Sequence, residues 1–152
     1  MSFSDDTAVT RVGHGRFIAE LHERWSSLVG IHGGYTAAIV ANAMTAAVDD
    51  PSRALRSFAT QFASIPRPGP VDIEVTVERT GKSMTTTSAR LLQEGWVLQV
   101  AHAASSATRP GLAYDDHIRP RDADPGDTPR FASSAGVGHF QNADVRLDPD
   151  VV

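Results

Sequence analysis

With 152 residues, 41% of them hydrophobic and 21% charged, the chain has the make-up of one globular domain with its own core. A formal net charge of -4 offers no basic field to nucleic acid or to an anionic membrane surface. The absence of cysteine excludes disulfides, thiolate zinc sites and a cysteine nucleophile, and no apolar run is long enough to span a bilayer.

In chain order, residues 1–14 are polar and predict a flexible N-terminus. They lack the basic-then-apolar layout of a secretory signal, so the cytoplasm is the expected location. Lys82 is the single lysine among 14 cations, an arginine excess that reads as the coding bias of a GC-rich bacterial genome. "GRFIAELHERW" alternates Phe17, Ala19 and Leu21 with Ile18, Glu20 and His22, which predicts a first, half-buried strand. Gly33 to Val48 then predicts a helix, apolar around most of its circumference and therefore buried on most sides. Its polar exceptions, Tyr35, Asn42 and Asp49 with Thr45 nearby, fall close to one line, a stripe that must stay wet or find partners.

"DDPSR" breaks the helix, and Arg53 to Ile65 predicts a strand with Phe58, Thr60 and Phe62 on one face, stopped by "PRPGP". "VDIEVTVER" alternates with period two, "TGKS" turns it, "MTTTSARLLQ" returns, "EG" turns again, and "WVLQVAHAASS" completes a three-strand meander. Residues 109–152 predict a linker rich in proline and aspartate, followed from Gly138 to Leu147 by strand-like sequence that starts a second unit. An antiparallel sheet must cover its apolar face, and the single long helix is the available cover. The expected class is therefore α+β, a hotdog fold in residues 15–108 with the sheet wrapped around one long central α-helix.

Three stretches resemble the hotdog-fold acyl-CoA thioesterases, and among them the N-terminal hotdog of the double-hotdog acyl-CoA thioesterase II type. They are "GIHGGYTAAIVANAM", "LRSFATQFASIPRPGPVDIEV" and "VERTGKSMTTTSARLLQEG", in that order. In the last, Lys82 stands where the family carries arginine, so a cation is kept but its bidentate geometry is not. The resemblance implies hydrolysis of an acyl-CoA thioester, with CoA arriving as part of the substrate and no separate cofactor. It implies backbone donors at Gly33 and Gly34 for the oxyanion, with His32 just before them, and contacts from Arg79 and Lys82 to the CoA phosphates.

The physics of a helix start agrees, since its first N–H groups lack internal partners and a missing side chain lets a thioester come close. The glycines would serve equally to let the helix cross a strand. No carboxylate lies on the helix before Asp49. Asn42 stands in the region where a single-hotdog thioesterase carries one, and an amide orients water or a partner but is neither base nor nucleophile. The other reading of Asn42 is a helix polar group satisfied across a subunit contact. In the double-hotdog type the essential carboxylate belongs to the second hotdog, so the 152 residues are expected to be the N-terminal half of a longer protein.

The six histidines are scattered without ligand spacing, so no metal is assigned. Asp115, Asp116 and His117 read as a solvated acidic segment. The alternative function is a non-catalytic hotdog that binds acyl-CoA or serves as a dimerisation partner. A dehydratase on the same fold ranks lowest, because His32 has no evident acidic partner. An open sheet edge and a tunnel formed between hotdogs imply a homodimer or pairing with a second hotdog.

Overall fold

The computed structural model describes residues 2–111, 126, 128, 130 and 138–146. Asp115, Asp116 and His117 lie outside the described residues. α1 (Phe3–Asp6) and β1 (Thr10–Gly13) lead into β2 (Arg16–Leu21), a 3-10 turn at Glu23–Trp25, and α2 (Gly33–Val48). β3 (Arg53–Phe62), β4 (Gly69–Thr80), β5 (Met84–Gln93) and β6 (Trp96–Ala107) follow, and α3 (Gly138–Asn142) closes the described chain. All pairings are antiparallel, in the order β1-β2-β4-β5-β6-β3, so β3 crosses over to become one edge. The sheet wraps α2, which packs against β2, β3, β4, β5 and β6. This is the expected α+β hotdog architecture.

Alternation makes the core. Val71, Ile73 and Val75 of β4 turn to the helix with Ala89 and Leu91 of β5 and Ala101 and Ala103 of β6, all buried. From α2, Tyr35, Ile39, Val40, Ala43 and Met44 fill the space, and each large apolar side chain so buried contributes about 1.5–3 kcal/mol. The "EG" turn is built by Glu94 and Gly95, both at positive φ, the conformation a two-residue hairpin needs.

Three expectations are corrected. Residues 1–14 are not a flexible lead: Ser2 and Asp5 cap α1 reciprocally, and β1 pairs with β2. The polar side chains that made the segment look solvated have tertiary partners, which composition cannot show. The first strand stops at Leu21, and Glu23–Trp25 turns as a 3-10 helix in place of continuing. Within Gly138 to Leu147, the strand-like stretch instead opens with α3, packed on the 3-10 turn, where Asn142 Nδ2 donates to the Arg24 carbonyl at 2.7 Å.

The N-terminal segment also accounts for the polar stripe of α2. The Tyr35 hydroxyl donates toward the Asp6 and Glu20 carbonyls, at 3.0 Å each, and Asn42 Nδ2 donates to the Thr7 carbonyl at 2.9 Å. Arg11 lies over the Phe17 ring, 4.9 Å from its centroid, and donates to the Ala46 carbonyl near the helix C-terminus, where a cation is favoured. Residues 6–11 thus track α2 from its first turn to its last. Asn42 is satisfied within its own chain, and the subunit contact read from sequence is not needed.

Candidate active site at the start of α2

The start of α2 is held by several independent ties. His32 is the N-cap residue, and its backbone N–H donates to the Trp25 carbonyl at 2.8 Å. Ile31 N–H donates to the Pro66 carbonyl at 3.3 Å, so the loop leaving β3 supports the loop entering α2. Gln93 grips that supporting loop with both ends of its amide, accepting from Arg67 N–H at 3.0 Å and donating to the Arg67 carbonyl at 2.9 Å.

Trp25 is fixed in turn. Its indole N–H donates to Asp6 Oδ2 at 2.9 Å, and its ring stacks on Tyr35, centroids 5.2 Å apart. Asp6 is 3% exposed and forms an ion pair with Arg24. Burial pushes the Tyr35 phenol above its usual pKa.

Within this frame the two glycines differ. His32 Nδ1 accepts the Gly34 N–H at 3.1 Å, the familiar work of an N-cap side chain, so the nitrogen that accepts carries no proton. Gly34 N–H is therefore occupied by the imidazole. Among the described residues no acceptor meets the Gly33 N–H. Beside it lies a pocket of about 200 Å³ lined by Val29, Ile31, Gly33, Phe62, Ser64 and Ile65, among others. Its walls are mostly apolar, and the Gly33 N–H enters it from the positive end of a 16-residue helix. That arrangement can polarise a carbonyl oxygen and stabilise the oxyanion it becomes.

A larger hollow of about 480 Å³ lies elsewhere, along β2 and the N-terminal segment. Asp5, Asp6, Glu20, Asp72 and Glu94 line it, a negative wall that repels a polyphosphate ligand. Among the described residues no group of His, Asp or Glu converges in a way that could hold a metal ion.

The remaining residues singled out from sequence are not gathered here. Asn42 is nine positions along the helix, about 14 Å from Gly33, and is engaged by Thr7. Arg79 and Lys82 are exposed at the β4–β5 hairpin. That hairpin is tied to the opposite end of α2, where Arg53 donates to the Gly81 carbonyl at 3.0 Å and to Thr85 Oγ1 at 2.8 Å. Asp50 holds Arg53 in place, and its carboxyl is kept below its usual pKa, first by hydrogen bonds from Ser52 and then by Arg53. The length of α2, about 24 Å, therefore separates Lys82 from Gly33 within one chain. Sequence reasoning missed Phe62 as a pocket wall and Trp25 as a brace, because neither carries a motif.

A family model of the acyl-CoA thioesterase N-terminal domain matches residues 21–108. The chain belongs to that family. The chain is also similar to solved structures with the same fold. A conserved hotdog-fold protein of unknown function from Alicyclobacillus acidocaldarius shares 27% identity at a TM-score of 0.78, over 91% of this chain and 52% of the other. A proposed thioesterase II from Thermobifida fusca shares 25% identity at 0.78, over 97% and 55%. An acyl-CoA thioesterase II from Mycobacterium marinum, at 20% identity and 0.78 over 99% and 54%, shows the shared fold. The chain thus spans about half the length of these solved chains. No curated protein sequence matches it.

Proposed function

We propose that the chain is the oxyanion-binding half of an acyl-CoA thioesterase. The observation that carries this reading is the unengaged Gly33 N–H at the head of α2, opening onto an apolar pocket in a chain of this family. In the reaction, water adds to the thioester carbonyl, the oxyanion rests on Gly33 N–H, and the C–S bond breaks to release the acid and the CoA thiol. Nothing beyond substrate and water is called for, so no cofactor enters. Neither α2 nor, among the described residues, the pocket wall supplies a carboxylate. The base that activates water is assigned to a second hotdog.

Pairing along the open edge of β3 is the arrangement that supports this reading. Two β3 strands side by side and antiparallel reverse one hotdog against the other, so the helix start of each meets the hairpin end of its neighbour. Arg79 and Lys82, remote from Gly33 in their own chain, then face the partner's pocket mouth, where the CoA phosphates would lie. In the chain alone this is a homodimer; in a double-hotdog protein it is two halves of one polypeptide. Apolar walls suit an acyl group, and the cytoplasm, where CoA thioesters are made, suits the substrate.

A non-catalytic module that binds acyl-CoA is the second reading, and the carboxylate-free pocket favours it. Thiol release from acyl-CoAs of short, medium and long chain, read alongside calorimetry with a non-hydrolysable S-alkyl-CoA ether, separates the two. Release of thiol supports the enzyme and heat without release supports the module. Neither heat nor release, from the chain alone or paired with a second hotdog, would sink both.

A further inference from the structure

Gln99 of β6 is 1% exposed, a large amide side chain buried among the apolar residues of the core. Its Nε2 donates to Thr60 Oγ1 at 2.8 Å, while Thr60 spends its single hydroxyl proton on the Val100 carbonyl at 3.0 Å. Thr60 can therefore only accept from Gln99. The amide has one orientation left, nitrogen toward Thr60 and oxygen away from it. Among the described residues that oxygen, Oε1, has no donor, although it is fully buried.

The place of the unpaired oxygen matters. In the β3–β6 register Gln99 stands directly opposite Phe62, and opposite residues share a face of the sheet. The Phe62 ring lies on Gly33 and walls the pocket, yet is 56% exposed, so it can turn aside. Gln99 is not itself a wall of the pocket; Phe62 stands between them, and turning the ring aside is what would bring a ligand in the pocket to Gln99. An apolar side chain would fill the same space with nothing left unpaired, whereas a buried acceptor without a donor is unfavourable until something donates to it.

We propose that Gln99 is a specificity-determining residue, whose Oε1 accepts a hydrogen bond from a hydroxyl on the acyl chain of the bound CoA thioester, with Thr60 fixing the amide. This rests on the acyl-CoA reading above and narrows its substrate class to hydroxyacyl thioesters. Val29, Ile31, Phe62 and Ile65 treat a plain and a hydroxylated chain alike, Ser27 Oγ is spent on the Gly30 carbonyl, and Ser64 is exposed to water. Discrimination therefore falls to the buried acceptor that has no donor. A site built around such an acceptor favours the ligand that satisfies it by about tenfold to a hundredfold.

The test is calorimetry on the full chain with S-alkyl-CoA ethers of one length, plain and with a hydroxyl walked along the chain. At one hydroxyl position the wild-type protein binds at least about tenfold more tightly than it binds the plain ether. In Gln99→Met, and in Gln99→Leu as a second variant, that ratio falls to about one. Circular dichroism checks that each variant folds, and the wild-type ratio is decisive without either. Equal affinity for plain and hydroxylated ethers in the wild type overturns the proposal, because a trapped water then satisfies Oε1, and so does a preference that survives in Gln99→Met, because the hydroxyl then pairs with another group. Binding of no ether at all removes the acyl-CoA reading and this inference with it, whereas tight but indiscriminate binding removes the inference alone.

Discussion

The ring of Phe62 rests on Gly33 so closely that a Cβ at position 33 would lie 3.0 Å from its Cζ atom. The contact ties the last residue of an edge strand to the first residue of the central helix, and it makes one glycine serve two ends. The missing side chain leaves room for the ring, and the same gap leaves the backbone N–H open to a ligand. Gly33→Ala should therefore separate folding from function. The exposed ring can give way, and alanine favours the helix, so the melting temperature should move by less than about 1 kcal/mol equivalent. Affinity for an S-alkyl-CoA ether should fall at least about tenfold, because the methyl group occupies the space in front of the Gly33 N–H. Unchanged affinity would dissociate Gly33 from the site.

His32 is expected to act through its cap. Removing the acceptor of the Gly34 N–H in His32→Ala should cost about 1 kcal/mol of stability, and His32→Asn should restore most of it, since asparagine caps well. Denaturant titration measures both. A variant that keeps full stability but loses thiol release would instead assign the imidazole a part in the chemistry.

Asp6 is the anchor of the N-terminal segment, gripping Arg24 and the Trp25 indole from a buried position. Asp6→Ala leaves both without an acceptor. The loss should be on the order of 2–3 kcal/mol, somewhat below that of a fully buried pair because Arg24 keeps contact with water. Chemical denaturation reads the cost, and proteolysis between α1 and β2 should speed up in the variant. A cost near zero would mean that the segment does not brace the site.

Tyr35 predicts the alkaline limit of the fold. Burial raises its pKa in the folded state above the ordinary tyrosine value of 10.0, so the native protein holds this proton more tightly than the unfolded chain does. Stability from this group is complete below pH 10.0 and declines as pH rises through the higher folded value. Alkaline unfolding followed by tyrosinate absorbance should show a shifted component that disappears in Tyr35→Phe. A decline of the same steepness in that variant would point to other groups.

Lys82 is exposed, so Lys82→Ala should leave the melting temperature where it is. If it reaches CoA phosphates across a paired hotdog, affinity should drop by about threefold to tenfold, more at low salt than at high, and Lys82→Arg should recover it. Light scattering on the same samples should give twice the chain mass. A strictly monomeric chain that still responds to Lys82→Ala would overturn pairing as the reason.

Much of the fold was legible because it rests on local rules. Period-two alternation placed a strand whose Val71, Ile73 and Val75 form a buried face, although Val77 ends exposed, and the Glu94–Gly95 turn was readable as a pair that tolerates positive φ. The small-residue run from Gly33 to Val48 marked the helix to its last residue. The glycines, too, were visible as the start of that helix. What stayed hidden depends on partners far away in sequence. Thr7 and Asn42, separated by 35 positions, satisfy each other, and no property of either residue announces it. Asp6 reads as solvated in the sequence and is buried because Arg24 and Trp25 come to meet it. Likewise only the fold decided that His32 occupies Gly34, that Phe62 covers Gly33, and that Lys82 lies at the far end of the helix. Periodicity and turn chemistry are written residue by residue, whereas a site is a coincidence of side chains in space, and that coincidence exists only once the sheet has closed around α2.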